Sequence, residues 1–170
     1  PKFEDLVSGQ VSTTALREVS IEDLLGREKV ELDWNLIHSG LSGKTVMVSG
    51  GGGSIGSELC RQIANLAPAS LIIFERSEFN LYRIVKDLGN SFPQMQPIGV
   101  LGDVCDRQAV ENTLKKYSPN IIFHAAAYKH VPMLEINENI LTGIRNNIIG
   151  TYSVCKIAHE NNVKKVVMIS

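Results

Sequence analysis

The chain has 170 residues, 17 Lys+Arg against 18 Asp+Glu, and a formal net charge of −1. A hydrophobic share of 44% and a charged share of 21% suit one globular domain with a real core, and exclude wholesale disorder. Near-zero charge removes the electrostatic case for nucleic acid or an anionic membrane, and no apolar run approaches the ~18 residues that a membrane span needs.

Cys60, Cys105 and Cys155 are odd in number and form no Cys-x-x-Cys pair. Each reads as a small buried hydrophobe in a reducing, cytoplasmic setting, without a zinc or disulfide framework. His38, His124, His130 and His159 show no ligand spacing, so no metal site is expected. The chain opens at Pro1 without a signal peptide and stops at Ser170 just after a strand-like run, which reads as a fragment of a longer protein.

Residues 1–40 read as an extension packed on a domain spanning 41–170. Ser20-Ile21-Glu22-Asp23 matches a helix-start box, followed by Leu24, Leu25 and a glycine stop at Gly26. Asp33 reads as the cap of a second short helix through Trp34, Leu36 and Ile37 to Gly40. From Lys44 onward, apolar runs alternate with segments of helical spacing. Strands are predicted at 45–48, 71–74, 98–101, 120–123 and 165–169. Helices are predicted at 54–66, 78–88, 107–117 and 140–160, the first with Ile55, Leu59, Ile63 and Leu66 on one face. Continuous rather than alternating apolar strands mark a parallel sheet covered on both sides, so the fold class is a doubly wound α/β sheet ending with the fifth strand.

Between the first strand and first helix stands Ser49-Gly50-Gly51-Gly52-Gly53-Ser54-Ile55-Gly56. It satisfies Gly-x-Gly-x-x-Gly through Gly51, Gly53 and Gly56, and a wider spacing through Gly50, Gly53 and Gly56. Glycine is needed there because the chain must turn tightly and bring backbone amides against a pyrophosphate at a helix N-terminus. Glu75 closes the second strand near the expected interval of about 20 and reads as the acceptor for a ribose 2′-hydroxyl. Arg76 and Ser77 follow it; an arginine there can grip a 2′-phosphate, which Glu75 would repel, so NAD is favoured and NADP stays open. Asp103, with Val104, lies where an adenine edge is expected, and it reads equally as the cap of the third helix. No Gly-Lys-Ser/Thr follows the loop, which excludes a triphosphate-binding P-loop.

Four stretches together, Ser49 to Ile63, Phe74 to Tyr82, His124 to Glu135 and Asn146 to Thr151, resemble the polysaccharide-biosynthesis nucleotide-sugar dehydratases. These are CapD-like members of the extended short-chain dehydrogenase/reductases, with a Rossmann fold. Leu16 to Arg27 resembles the segment before the catalytic domain in longer, membrane-anchored members.

The resemblance implies a UDP-N-acetylglucosamine-type 4,6-dehydratase, a lyase that oxidises C-4, loses water across C-5 and C-6 and returns the hydride to C-6. It carries Gly50, Gly53, Ser54, Ile55 and Gly56 to the pyrophosphate. Glu75, Arg76 and Ser77 fall at the ribose, and Asp103 and Val104 at the adenine. Ala125, Ala126 and Ala127 become the small residues under the cofactor. Lys129 falls at cofactor or substrate phosphates, and Asn147 at the nicotinamide half. His130 beside Lys129 reads as a substrate contact or as an ordinary loop histidine.

The family's Thr-Asp-Lys-type segment and its Tyr-x-x-x-Lys pair are expected beyond Ser170. This chain therefore carries no catalytic residue and is expected to be inactive alone. A nucleotide-sugar epimerase and a non-catalytic NAD(P)-binding module are the alternatives. The resemblance further implies a UDP-sugar partner, a homo-oligomer at full length, and anchoring helices before Pro1 in some members. Tyr82…Lys86 and Tyr152…Lys156 repeat the catalytic spacing in the wrong elements, with Tyr152 read as facing the core. His124 reads as a satisfied, partly buried histidine. Glu135, Asn137 and Glu138 read as a helix start.

Overall fold

The computed structural model describes residues 33–169. The expectations at Ser20–Asp23, Gly26 and Leu16–Arg27 lie outside the described residues. α1 (Trp34–Leu41) leads to β1 (Thr45–Ser49), and α2 (Ser54–Asn65) leads to β2 (Ser70–Glu75). Next come α3 (Glu78–Ser91), β3 (Ile98–Leu101), α4 (Arg107–Tyr117) and β4 (Ile121–His124). Two short helices, α5 (Val131–Leu134) and α6 (Asn137–Ile144), run into a π-helical segment, Arg145–Gly150, and on into α7 (Thr151–Glu160). β5 (Lys165–Met168) closes the sheet.

All pairings are parallel, and the strand order is β3-β2-β1-β4-β5. The chain starts in the middle, winds outward to β3, then returns to lay β4 on the other side of β1. That reversal opens a crevice beyond the carboxyl ends of β1 and β4. The side-chain alternation of the two central strands builds two cores. Val46, Val48, Leu71 and Ile73 pack on one face with Cys60 and Ile63 of α2, Ile84 and Leu88 of α3, and Leu41 of α1. Met47, Ile72, Phe74 and Ile122 pack on the other with Val110 and Leu114 of α4 and Val154 and Ile157 of α7. Each such fully buried aliphatic side chain contributes about 1.5–3 kcal/mol relative to exposure. The doubly wound α/β sheet is the predicted one.

Several local expectations change. Of the face expected for α2, Leu59, Ile63 and Leu66 pack on the core, beside Gly56, Ser57, Cys60 and Ala64, whose small size lets the helix lie close to the sheet, while Ile55 is left 49% exposed. The single helix expected at 140–160 starts earlier, at Asn137 with Glu138 in its first turn, and widens into the π segment. Dihedrals stay right-handed through both joints, Ile144 and Arg145 on one side and Gly150 and Thr151 on the other, so the rod is continuous.

The wider turn shifts the helical phase. Tyr152, expected on the packing face, is 63% exposed with the Lys156 ammonium 5.8 Å from its ring. Tyr82 is likewise exposed, with Lys86 at 5.8 Å. Only Cys60 is a buried cysteine; Cys155 sits on the outer face of α7 and Cys105 is half-buried, against the expectation for both. The third predicted helix is capped by Asp106, whose carboxylate accepts from the Gln108 and Ala109 amides, and not by Asp103. No helix among the described residues is long and apolar enough to cross a membrane.

Candidate functional site

The turn after β1 is tied down from three sides. The Gly50 amide donates to the Phe74 carbonyl at 2.8 Å, and the Gly53 amide returns to the Gly50 carbonyl at 3.1 Å. Gly50 has φ +70°, and a Cβ there would stand 2.7 Å from the Ala126 backbone, so both conformation and space demand glycine. Gly56 packs so closely on the Gly50 carbonyl that no side chain fits. At Gly53 an added Cβ meets only that carbonyl, at 3.3 Å. α2 therefore begins directly beneath the turn, and Gly53, its N-cap, has no side chain to satisfy the first amides. Ser54, Ile55 and Gly56 all line the large groove in front of it.

Glu75 is 8% exposed. Its Oε2 accepts from the Gly52 amide at 3.0 Å and its Oε1 from the Ser77 amide at 2.9 Å. The carboxylate thus braces the glycine turn against the end of β2. A carboxylate has about four acceptor positions, so two remain for a ribose hydroxyl. Ser77 is the N-cap of α3, accepting from the Asn80 amide at 3.4 Å, and lies outside the groove linings.

Arg76 spans toward β3 and β4. Its guanidinium lies 3.7 Å from Asp103 Oδ2 and 4.9 Å from the centre of the Tyr128 ring. Asp103 turns its other oxygen to the Cys105 amide at 2.8 Å. It frames the pocket through Arg76 and does not line it, whereas Val104 does.

A cavity of about 170 Å³ runs from Gly50 and Gly53 past Phe74, Glu75 and Arg76 to Gly102 and Val104, with Ala125, Ala126, Ala127, Tyr128 and Asn146 opposite. It meets a groove of about 880 Å³ lined by Gly53 to Gly56, His124, Ala125, Ala127, Lys129, His130, Asn147 and Thr151, with Met168 and Ile169 at its far end. The predicted residues other than Ser77 and Asp103 thus come together around one continuous crevice. Phe74, Asn80, Tyr128, Asn146 and Thr151 join them without having been singled out. All five lie in the stretches that carry the family resemblance, and Asn80 adds its place one turn into the helix that follows Glu75.

Asn147 uses its side chain on the backbone. Its Oδ1 accepts from the Tyr128 amide at 2.9 Å, and its Nδ2 donates to the Tyr128 carbonyl at 2.8 Å. Buried Asn146 donates to Asn147 Oδ1 and to the Ala126 carbonyl. The π segment thereby clamps the loop carrying Ala125–His130. At the root of that loop, buried His124 hydrogen-bonds Ser49 and Thr151, and burial holds its imidazole below the ordinary histidine range. Lys129 and His130 are exposed at the rim, and they also border an apolar pocket of about 290 Å³ beside Met133, Leu134 and Gly143.

The polysaccharide biosynthesis protein family model matches residues 46–170, which takes in the sheet from the second residue of β1 onward and every wall of the crevice. The chain belongs to the polysaccharide biosynthesis protein family. One relative, the capsular polysaccharide biosynthesis protein CapD of Staphylococcus aureus, is 41% identical over the whole chain and 28% of its own length. The UDP-N-acetylglucosamine 4,6-dehydratase (inverting) of Campylobacter jejuni subsp. jejuni serotype O:23/36 (strain 81-176) is 29% identical over 76% of this chain and 36% of its own. Among solved structures, the UDP-glucose-4-epimerase of Stenotrophomonas maltophila, crystallised with bound NAD and formylated UDP-arabinopyranose, superposes with a TM-score of 0.66. It shares 22% identity and covers 74% of this chain and 36% of its own, a likeness of fold. The chain spans about a quarter to a third of the length of these family relatives.

Proposed function

We propose that this chain of the polysaccharide biosynthesis protein family is the NAD-binding part of a nucleotide-sugar 4,6-dehydratase. The observation that carries the reading is the crevice at the strand-order reversal, floored by uncapped amides of α2 and walled by alanines. The residues fit a dinucleotide: the turn at Gly50 and Gly56 has no room for side chains, and the first amides of α2 face the groove without side-chain partners. Gly50, Gly53, Ser54, Ile55 and Gly56 hold the pyrophosphate. Glu75 accepts from the adenosine ribose, with Arg76 and Tyr128 over the adenosine pocket. Ala125–Ala127 give the nicotinamide half a flat wall, and Lys129 and His130 meet the sugar-nucleotide phosphates from the rim.

A nicotinamide bound there would supply the hydride acceptor that oxidation at C-4 needs and the hydride donor that reduction at C-6 needs. The residues of this chain bind and orient; we place the catalytic base in the part of the relatives outside the matched span. The dehydratase name of the Campylobacter jejuni relative supports the reaction. An epimerase is the second reading, supported by the name of a relative from Rickettsia rickettsii, a UDP-glucose 4-epimerase 30% identical over 75% of this chain. UDP-N-acetylglucosamine and a full-length protein separate the two, because loss of water gives a 4-keto-6-deoxy sugar and epimerisation gives only the C-4 epimer.

The first test is thermal unfolding of the chain with NAD. Ligand at one hundred times its Kd stabilises by about 2.7 kcal/mol, which raises Tm by about 5–11 °C for a domain of this size. No shift at millimolar NAD or NADP refutes the reading. The chain alone is expected to bind without turning over UDP-N-acetylglucosamine.

A further inference from the structure

β1 and β4 end on a hydroxyl and an imidazole that cofactor binding leaves unused. Ser49 and His124 are register partners at the carboxyl ends of β1 and β4. Ser49 Oγ lies 2.6 Å from His124 Nδ1, and His124 Nε2 lies 2.9 Å from Thr151 Oγ1. Ser49 is 0% exposed and His124 3%. A serine at this distance from histidine is also the beginning of a nucleophilic site, but no substrate reaches a fully buried Ser49. The far nitrogen of His124 meets a threonine rather than an orienting carboxylate.

The burial of Ser49 orders the protons. Among the described residues, its hydroxyl has no partner besides His124. Were the proton on Nδ1, Ser49 would accept it and its own hydrogen would be buried without an acceptor, a penalised state. Ser49 therefore donates to Nδ1. The neutral ring then carries its proton on Nε2 and donates to Thr151 Oγ1. Burial, which disfavours the imidazolium, keeps the ring neutral.

Thr151 is left with its own O–H. A helical threonine ordinarily donates that hydrogen to the preceding turn, and no such bond is present among the described residues. Thr151 lines the large groove with Met168 and Ile169, at the end of β5. The adenosine pocket is instead lined by the ends of β2 and β3, across the strand-order reversal.

We propose that Thr151 is a hydrogen-bond donor to an oxygen of the nicotinamide-riboside half of the dinucleotide, and that Ser49 and His124 are positioning residues that fix it as a donor. The ligand part rests on the NAD reading above; the proton order does not.

Nitrogen-15 chemical shifts of His124 in the ligand-free chain test the proton order. The expected result is the neutral Nε2–H tautomer, and an Nδ1–H ring overturns the proposal. Affinities for NAD and AMP in Thr151→Val and Thr151→Ser test the contact. Valine keeps the shape and is expected to weaken NAD about fivefold, the worth of one neutral hydrogen bond, with AMP unchanged; serine restores most of the loss. NAD binding unchanged in Thr151→Val, or equally weak in Thr151→Ser, overturns this proposal alone. A wild-type chain that binds AMP but no NAD overturns the dinucleotide reading and the Thr151 contact with it.

Discussion

Replacing Glu75 by Gln tests whether the acid that closes β2 is also what holds the glycine turn in shape. The side chain is 8% exposed and its two oxygens accept from the Gly52 and Ser77 amides at 3.0 and 2.9 Å. Hydrogen bonds to a buried charge contribute about 1.5–3 kcal/mol each. Gln keeps one oxygen and turns an NH₂ toward the other amide, so one bond is lost and two donors face each other. The expected loss is about 2–4 kcal/mol, or a Tm lower by about 4–16 °C. Urea and thermal unfolding followed by circular dichroism measure it. AMP and 2′-deoxy-AMP titrations add the ligand side: wild type is expected to prefer AMP, and Glu75→Gln to narrow the preference. An unfolding free energy within about 0.5 kcal/mol of wild type would show that Glu75 does not brace the turn.

Gly50→Ala is expected to cost at least about 2 kcal/mol in urea unfolding and to abolish NAD binding, because φ is +70° and the new Cβ meets the Ala126 backbone; Gly53→Ala is expected to be far milder. Asn147→Ala removes both bonds to Tyr128, so hydrogen exchange at the Tyr128 amide should quicken about tenfold; unchanged exchange rules out the clamp. Burial lowers the His124 pKa from 6.5, so below pH 6.5 the unfolded chain binds a proton that the folded chain refuses, and stability falls with falling pH until the folded ring titrates. His124→Gln is expected to flatten that slope in urea midpoints taken between pH 7.5 and about 5, and an unaltered slope contradicts it. Burial pushes the Cys60 thiol up to about 12, so iodoacetamide at pH near 8 should alkylate exposed Cys155 and spare Cys60 until unfolding.

The strands were legible because a parallel sheet covered on both faces needs uninterrupted apolar runs, and Val46–Val48, Leu71–Phe74 and Ile121–Ile122 supply them. The glycine turn was legible because only glycine tolerates contacts such as that of Gly50 with Ala126. What escaped depends on backbone events or distant partners. A π turn has no side-chain signature, so Arg145–Gly150 read as plain helix and Tyr152 was assigned the wrong face. Asp103 and Asp106 both stand before α4, and local spacing does not say which one reaches its amides. The bridge from Arg76 to Tyr128 joins two loops that only the closing of the sheet brings together. Thr151 closes one of the stretches that carry the family resemblance, but nothing local marks its role, since its partner His124 lies on another element.

The π segment also makes the rod from Asn137 to Glu160 a matter of length as well as composition. One wide turn holds a residue more than an α-helix uses, so deleting a single residue within Arg145–Gly150 would leave the helix unbroken. The shortened segment would close as an ordinary α-turn, with α6 and α7 keeping nearly their present angle about the common axis. Met133, Leu134 and Gly143 would then stay beside Lys129 and His130, and the apolar pocket they share would stay open. The bulge thus absorbs one residue: a loss is tolerated there, whereas the same loss within α7 would turn everything after it by about 100°.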